Sequence, residues 1–208
     1  KLLPQTNCRD CGFPTCLAFA MKLAAKQAEL SACPHVSAEA KAQLDAASQP
    51  PIRLITLARD GRKLEVGNEI VLYRHEKTFY HAPGLMVRIK DTQPLDVVEK
   101  TAAFVEGYAV DYVGIKLHYD GVAIENASGD AATFAACVKA VMGKTTYPLI
   151  LMSKDARAMA AGLEAAAGAT PLIYAADADN WQAMAELAKK YKAPLAVKAN
   201  WDLGALAE

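Results

Sequence analysis

Two periodicities divide the chain. Up to about residue 48 the apolar positions recur at helical spacing: Leu17, Ala20, Met21, Ala24 and Ala28 follow the i, i+3, i+4, i+7 pattern of one buried face and predict a helix over 17–30. Ser37, ahead of a run rich in Ala and charge, predicts a second short helix with Ser37 as its N-cap. Gln49, Pro50 and Pro51 end it, and two successive prolines favour an extended linker, so a domain boundary is placed there. Beyond it the pattern alternates. A strand is predicted over 52–57, Asp60-Gly61 signals a hairpin, 63–66 returns, and Gly67-Asn68 turns again into a third strand over 70–73.

From residue 85 short apolar strands alternate with helical runs: strand 85–89 with helix 95–105, 122–125 with 131–142, 149–152 with 156–167, and 172–175 with 181–191. Strand 195–198 opens a fifth unit. Strands buried on both faces and joined by helical crossovers make a parallel sheet with right-handed connections. Such units close as a doubly wound sheet or as the first five of eight in a TIM-type barrel. The chain ends at Glu208, inside the fifth crossover, which favours the incomplete barrel. It also begins at Lys1 without an initiator Met, as a processed or truncated product would. The expected architecture is α/β: a small, mostly helical domain over 1–48, a linker and β meander over 49–84, and a partial (β/α) barrel over 85–208.

Composition narrows the partners. Lys plus Arg and Asp plus Glu both number 23, the pI is about 7.1, and no block of like charge stands out, so nucleic acid is not expected as a partner. No apolar run reaches the ~20 residues of a membrane span, and no charged-then-apolar leader opens the chain. A soluble, intracellular protein is expected.

Candidate chemistry concentrates at the N-terminus, where Cys8, Cys11, Cys16 and Cys33 supply four of the five cysteines. Cys8 and Cys11 are spaced to turn two sulfurs onto one centre, and Cys33-Pro34 ends the set. Structural zinc usually takes two C-x2-C knuckles or a matched Cys/His pair; this chain has one knuckle, with His35 the only nearby imidazole. Disulfides would need an oxidising compartment that nothing here signals, and a chain of 208 residues that is 53% hydrophobic does not require staples. Four thiolates at the corners of a [4Fe-4S] cubane is the favoured reading, and the spacing also accommodates [2Fe-2S].

Elsewhere the residues have bland readings. His75 and His81 lie in a polar, aromatic loop over 74–84 and read as hydrogen-bonded loop residues, with a partner or cofactor surface as the sharper alternative. Asp91, Thr92, Asn126, Ser128, Ser153, Asp155, Asp177, Asp179, Asn200 and Asp202 fall where strands give way to helices and are read as caps. A pterin-binding barrel using Asp91, Asn126 or Asn200 is the alternative for that end. Cys137, in an amphipathic helix, reads as a buried structural thiol. No phosphate-binding, nucleophile-elbow or zinc-protease motif occurs.

Cys8, Cys11, Gly12, Pro14, Thr15 and Cys16, running into Leu17-Ala18-Phe19-Ala20-Met21, then Ser31-Ala32-Cys33-Pro34, then Tyr73 through His81, together resemble the large (gamma) subunit family of the corrinoid iron-sulfur proteins. The resemblance runs over the whole chain. It implies a cluster domain, a barrel and a C-terminal domain for a cobalamin-type corrinoid, the last absent from this chain. It implies a methyl carrier of the acetyl-CoA pathway in an anaerobic cytoplasm. Its partners would be the small subunit of the same protein, a methyl-tetrahydropterin methyltransferase and acetyl-CoA synthase/CO dehydrogenase. Cys8, Cys11, Cys16 and Cys33 would hold the electron that returns Co(II) to Co(I), in a cluster domain made mobile by the Pro50-Pro51 linker. A plain electron-transfer module with a docking barrel is the competing reading.

Overall fold

The computed structural model describes residues 3–24, 27–48, 52–199, 204 and 206. The chain forms two compact units, Lys1–Arg53 and Leu54–Glu208. The proline pair, Asn200 and Asp202 lie outside the described residues.

In the first unit, α1 covers Cys16–Ala24, a 3-10 turn covers Leu30–Ala32, and α2 covers Ala38–Ser48. The predicted helix over 17–30 is therefore too long: α1 covers Cys16–Ala24, and Leu30 belongs to a separate turn that delivers Cys33. Its expected buried face is also wrong. Leu17 and Met21 are 72% and 68% exposed, while Phe19 is buried with its ring 5.4 Å from Phe13. One aromatic contact near the helix start sets the packing, and the i, i+4 stripe faces outward. Ser37 caps α2 as expected, its Oγ accepting from the Ala40 amide at 3.1 Å.

The second unit begins with a hairpin, β1 (Ile55–Arg59) and β2 (Arg62–Val66), turning through Asp60 and Gly61 at positive φ. The third meander strand over 70–73 does not form; that stretch is irregular. Its competitor is Glu69, whose carboxylate accepts from the Tyr80 and His81 amides, both at 2.8 Å, and closes 69–81 into a loop. Five parallel strands follow: β3 (Met86–Lys90), β6 (Gly121–Glu125), β7 (Leu149–Met152), β8 (Leu172–Ala176) and β9 (Leu195–Val197). They lie side by side in chain order. Between them run α3 (Leu95–Gly107), α4 (Ala131–Met142), α5 (Ala156–Ala165) and α6 (Trp181–Tyr191). A second hairpin, β4 (Ala109–Tyr112) and β5 (Ile115–His118), stands between α3 and β6.

Adjacent parallel strands joined by right-handed crossovers place every helix on one side of the sheet. Each helix packs on its strand and on the next helix in sequence. The side chains on that face, Ile89, Val122, Ile124, Leu149, Leu151 and Ile173, are all buried. The β1–β2 hairpin closes the N-terminal ends of the strands: the Thr170 amide donates to the Ala58 carbonyl at 3.0 Å, and Arg59 Nη2 donates to the Met142 carbonyl at 2.6 Å. Arg62 pairs with Glu106 at 2.7 Å and lies 4.0 Å over the Tyr147 ring.

Helices α4 and α5 approach closely because Gly162 faces the buried ring of Phe134; a Cβ at Gly162 would fall inside that ring's contact distance. Helix propensity alone would favour Gly162→Ala by about 1 kcal/mol. Overpacking reverses the sign, and the variant is expected to lose about 1–3 kcal/mol in denaturant unfolding of this unit.

Candidate metal centre

The segment before α1 carries positive φ at Gln5, Asn7, Arg9 and Gly12, so the chain coils tightly around its first two cysteines. The Gly12 amide closes a turn onto the Arg9 carbonyl at 2.8 Å. Two side chains then fix the helix start. Thr15 Oγ accepts from the Ala18 amide at 3.1 Å, and Asn7 Oδ1 accepts from the Cys16 amide at 2.8 Å. Cys16 is thereby the first residue of α1, where the helix end carries partial positive charge. Cys33 follows the 3-10 turn, its amide donating to the Leu30 carbonyl at 3.1 Å. Cys8 is exposed, Cys11 and Cys16 are half-buried, and Cys33 is buried.

The ligand atoms that come within 4.8 Å of one another as a group are those of Cys8, Asp10 and His35, and among the described residues the four sulfurs do not form so tight a group. Asp10 Oδ2 and His35 Nε2 stand 2.6 Å apart, each side chain about half exposed (52% and 49%). The His35 hydrogen bond, then that of Cys8, hold the Asp10 carboxyl below its usual range. Sequence reasoning met His35 only as a possible zinc ligand and passed over Asp10, because a pairing across 25 residues leaves no periodic signal.

Of the strand-end residues, Asp155 caps α5 by accepting from the Arg157 amide at 2.9 Å. Asp91 does something else. Buried at the end of β3, it takes the Ala127 and Ser128 amides on Oδ1 at 2.8 Å and the Ser128 hydroxyl on Oδ2 at 2.6 Å, bracing the β6–α4 loop. Asn126 continues the brace, donating to Ser153 Oγ at 3.1 Å and accepting from the Gly129 amide at 3.0 Å. The cap of α4 itself is Asp130, which the sequence reading omitted. Asp177 accepts from the Asp179 amide at 3.2 Å, and Thr92 is exposed. With both Asp91 oxygens engaged by the loop, the pterin reading keeps no support at that residue.

His81 is a hydrogen-bonded loop residue, its Nδ1 2.8 Å from the Gly67 carbonyl, and His75 stacks on Tyr73 with centroids 5.6 Å apart. Cys137 is buried in α4; burial first, then the Asp91 charge, push its thiol up to about 11, which suits a structural residue.

Two families match the chain. One, described as the CO dehydrogenase/acetyl-CoA synthase delta subunit, covers residues 54–208, and the other, an Fe-S cluster family, covers 3–35. A gamma 2 subunit of the acetyl-CoA decarbonylase/synthase complex from Methanosarcina mazei is 40% identical over 99% of this chain and 45% of its own length. The corrinoid/iron-sulfur protein large subunit from Moorella thermoacetica is 39% identical over 96% of this chain and 45% of its length. The gamma subunit from Methanothermobacter thermautotrophicus is 36% identical over 98% of this chain and 44% of its length. The chain thus spans less than half the length of the curated relatives it matches. No helix among the described residues is long and apolar enough to cross a membrane.

Two outcomes follow from this geometry. Asp91→Ala leaves the Ala127 and Ser128 amides without their acceptor and is expected to cost about 1–3 kcal/mol in thermal unfolding while leaving iron content unchanged. For Glu69, burial alone would raise the carboxyl, but the His81 and Tyr80 amides and the His81 ring outweigh it and hold it below the usual glutamate range. A depressed carboxyl stabilises the loop above its unfolded pKa of about 4.3, and that contribution is lost as pH falls through the lower folded value. Hydrogen exchange at Tyr80 and His81 should therefore accelerate, after correction for intrinsic rates, only below about pH 4. Glu69→Gln should show the fast rate at neutral pH.

Proposed function

Because the chain belongs to the CO dehydrogenase/acetyl-CoA synthase delta subunit family, we propose that it is part of a methyl-carrying corrinoid iron-sulfur subunit. That subunit takes a methyl group from a methyl-tetrahydropterin and passes it to acetyl-CoA synthase. One observation carries the reading: a cysteine unit matching an Fe-S cluster family and a β/α unit matching the subunit family are continuous in one chain, and relatives align across both.

Cys8, Cys11, Cys16 and Cys33 would hold a [4Fe-4S] cluster, which supplies one-electron storage at low potential. The donor set fits. A single tetrahedral zinc with bonds near 2.3 Å needs thiolates about 3.8 Å apart. The four sulfurs do not gather within 4.8 Å of one another, and a [4Fe-4S] cluster would take one thiolate from each of these cysteines. Asn7 and Thr15 hold the end of α1 against Cys16, where partial positive charge favours an anionic, thiolate-bound group. Cys33 shields one side from water while Cys8 leaves another open. The share of this chain in the cycle is to hold the electron that returns the corrinoid cobalt from Co(II) to Co(I). The corrinoid itself is proposed for the part of the full-length protein beyond this chain.

The proposed organisation is a cluster domain over 1–48, a connecting region over 49–84, and an arc of a (β/α) barrel over 85–208. Two observations support the arc. The strands follow chain order with no reversal, whereas a doubly wound sheet requires one. The sheet face away from the helices is not closed: Arg88 and Lys90 are exposed, Tyr174 is 39% exposed, and Ile150 and Met152 are half-buried. Further strands would complete that lumen. The family is described by a delta subunit while the relatives are gamma and large subunits, which supports one module shared by two kinds of subunit. We take the small subunit as the companion, with the methyltransferase and acetyl-CoA synthase/CO dehydrogenase as transient partners in the cytoplasm.

The test is an anaerobic preparation of the full-length protein, with iron, sulfide and cobalt counted per chain and the reduced EPR spectrum recorded. Four irons, four sulfides and one cobalt are expected. Cys33→Ala should lose iron and the reduced signal, keep cobalt, and leave Co(II) unreduced by a low-potential donor. Iron without cobalt would reduce the protein to an electron-transfer module, and zinc in place of iron would overturn both readings.

A further inference from the structure

The first unit holds a carboxylate against one of its own candidate ligands. The Gly12 amide bonds to the Arg9 carbonyl, so Asp10 and Cys11 form the corner of a turn. From that corner the Asp10 side chain comes back to Cys8: a carboxylate oxygen, the Cys8 sulfur and a His35 ring nitrogen all lie within 4.8 Å of one another. A thiol at Cys8 can donate a hydrogen bond to the carboxylate. A metal-bound thiolate cannot, and the contact then sets anion against anion.

Asp10 does not swing away from that contact because His35 holds it. Nε2 stands 2.6 Å from Asp10 Oδ2, and since a carboxylate only accepts, the ring nitrogen donates. His35 follows Cys33 and Pro34, so the bond also ties the turn between Cys8 and Cys11 to the other end of the ligand set, 25 residues away. With the Asp10 side chain 52% exposed, its charge needs no protein partner to be solvated. A charge that water could solvate, yet is fixed beside a ligand sulfur, is explained if the site uses the charge.

We propose that Asp10 sets the reduction potential of the cluster site, its fixed negative charge opposing the electron that the site takes up, and that His35 is the positioning residue that keeps it there. This rests on the cluster reading above and deepens it. The site gains one electron from a low-potential one-electron donor and loses it to Co(II), which becomes Co(I); no bond is made or broken in either transfer. A negative charge within 4.8 Å of the Cys8 sulfur disfavours the extra electron and makes the reduced site the stronger donor, the direction that forming Co(I) requires. The start of α1 acts the other way, but its partial positive charge beside Cys16 is only about half a unit against the full charge of Asp10. Water screens a half-exposed carboxylate, so the effect is modest in size and fixed in sign.

The experiment is an anaerobic redox titration of the full-length protein at about pH 8, above the range in which carboxylates ordinarily titrate. The EPR signal of the reduced cluster is followed, and iron is counted per chain. Asp10→Asn removes the charge but keeps an oxygen that accepts from His35. It should retain the iron and the line shape of the wild type while its midpoint rises. The ratio of reduced to oxidised cluster at a fixed potential should grow about threefold or more; at roughly 59 mV per tenfold for one electron, that is about 28 mV. Asp10→Glu should return that ratio to within about twofold of the wild type. His35→Lys sets a positive charge against Asp10 and should raise the midpoint in the same direction, which decides the matter if Asp10→Asn holds no iron. Iron retained with the midpoint unchanged or lowered overturns the role of Asp10, and a rise that Asp10→Glu does not reverse overturns charge as its cause. Loss of iron in both Asp10→Asn and His35→Lys makes the pair a structural clamp and overturns the proposal. Wild-type protein without four irons and their reduced signal overturns the cluster reading itself.

Discussion

A right-handed crossover between neighbouring parallel strands is the constraint on which the larger unit depends. With strands β3, β6, β7, β8 and β9 laid down in chain order, it sends α3 to α6 to the same side. One face therefore packs dry, around Ile89, Ile124, Leu151 and Ile173, and the other does not. The same rule puts all strand C-termini at one end, where Asp91, Asn126 and Ser153 join neighbouring strand ends through their side chains. The N-terminal ends are closed separately by the β1–β2 hairpin through Arg59 and Arg62.

The β/α part was legible because each element there carries one unambiguous period. The spans 131–142, 149–152 and 181–191 coincide with α4, β7 and α6 to the residue, since each is bounded by polar or turn residues and none is asked to do anything but pack. Legibility failed where local preference lost to a particular contact. The third meander strand, 70–73, was apolar enough to pair, but Glu69 drew the amides of 80 and 81 onto itself. The β4–β5 hairpin was passed over because Val113-Gly114 is not a turn signal, although the alternation from Val110 to Leu117 is regular. In both places the period was present and the turn chemistry decided.

At the cysteines the four candidate ligands were visible from spacing, whereas their supports were not. Asn7 caps α1 from nine residues upstream of Cys16, and Asp10 meets His35 across the loop; neither pairing follows from helical or strand periodicity. The helix was overextended for a related reason. Leu17 and Met21 have the right spacing to be core, yet a unit this small has room to bury Phe19 alone among the large side chains of α1. Periodicity identifies a stripe; only the volume behind it decides whether the stripe is covered.

That small volume bears on how the first unit holds together. Among its described residues the buried apolar positions are Phe19, Cys33 and Ala40, far short of what offsets the ordering of some fifty residues at about 1–2 kcal/mol each. Units of this size generally borrow stability from a metal or a partner. Cys33 is among the three, so the proposed cluster would draw Cys8, Cys11 and Cys16 onto the one residue already inside. Metal ligation and folding would then be a single equilibrium, as in small metal-bound domains generally. The second unit has a continuous apolar core running from Ile89 to Ala193. With that cluster bound, the two parts of the chain would stand on different physics, ligand bonds in one and apolar burial in the other. A change that empties the cysteine site should leave the β/α unit folded.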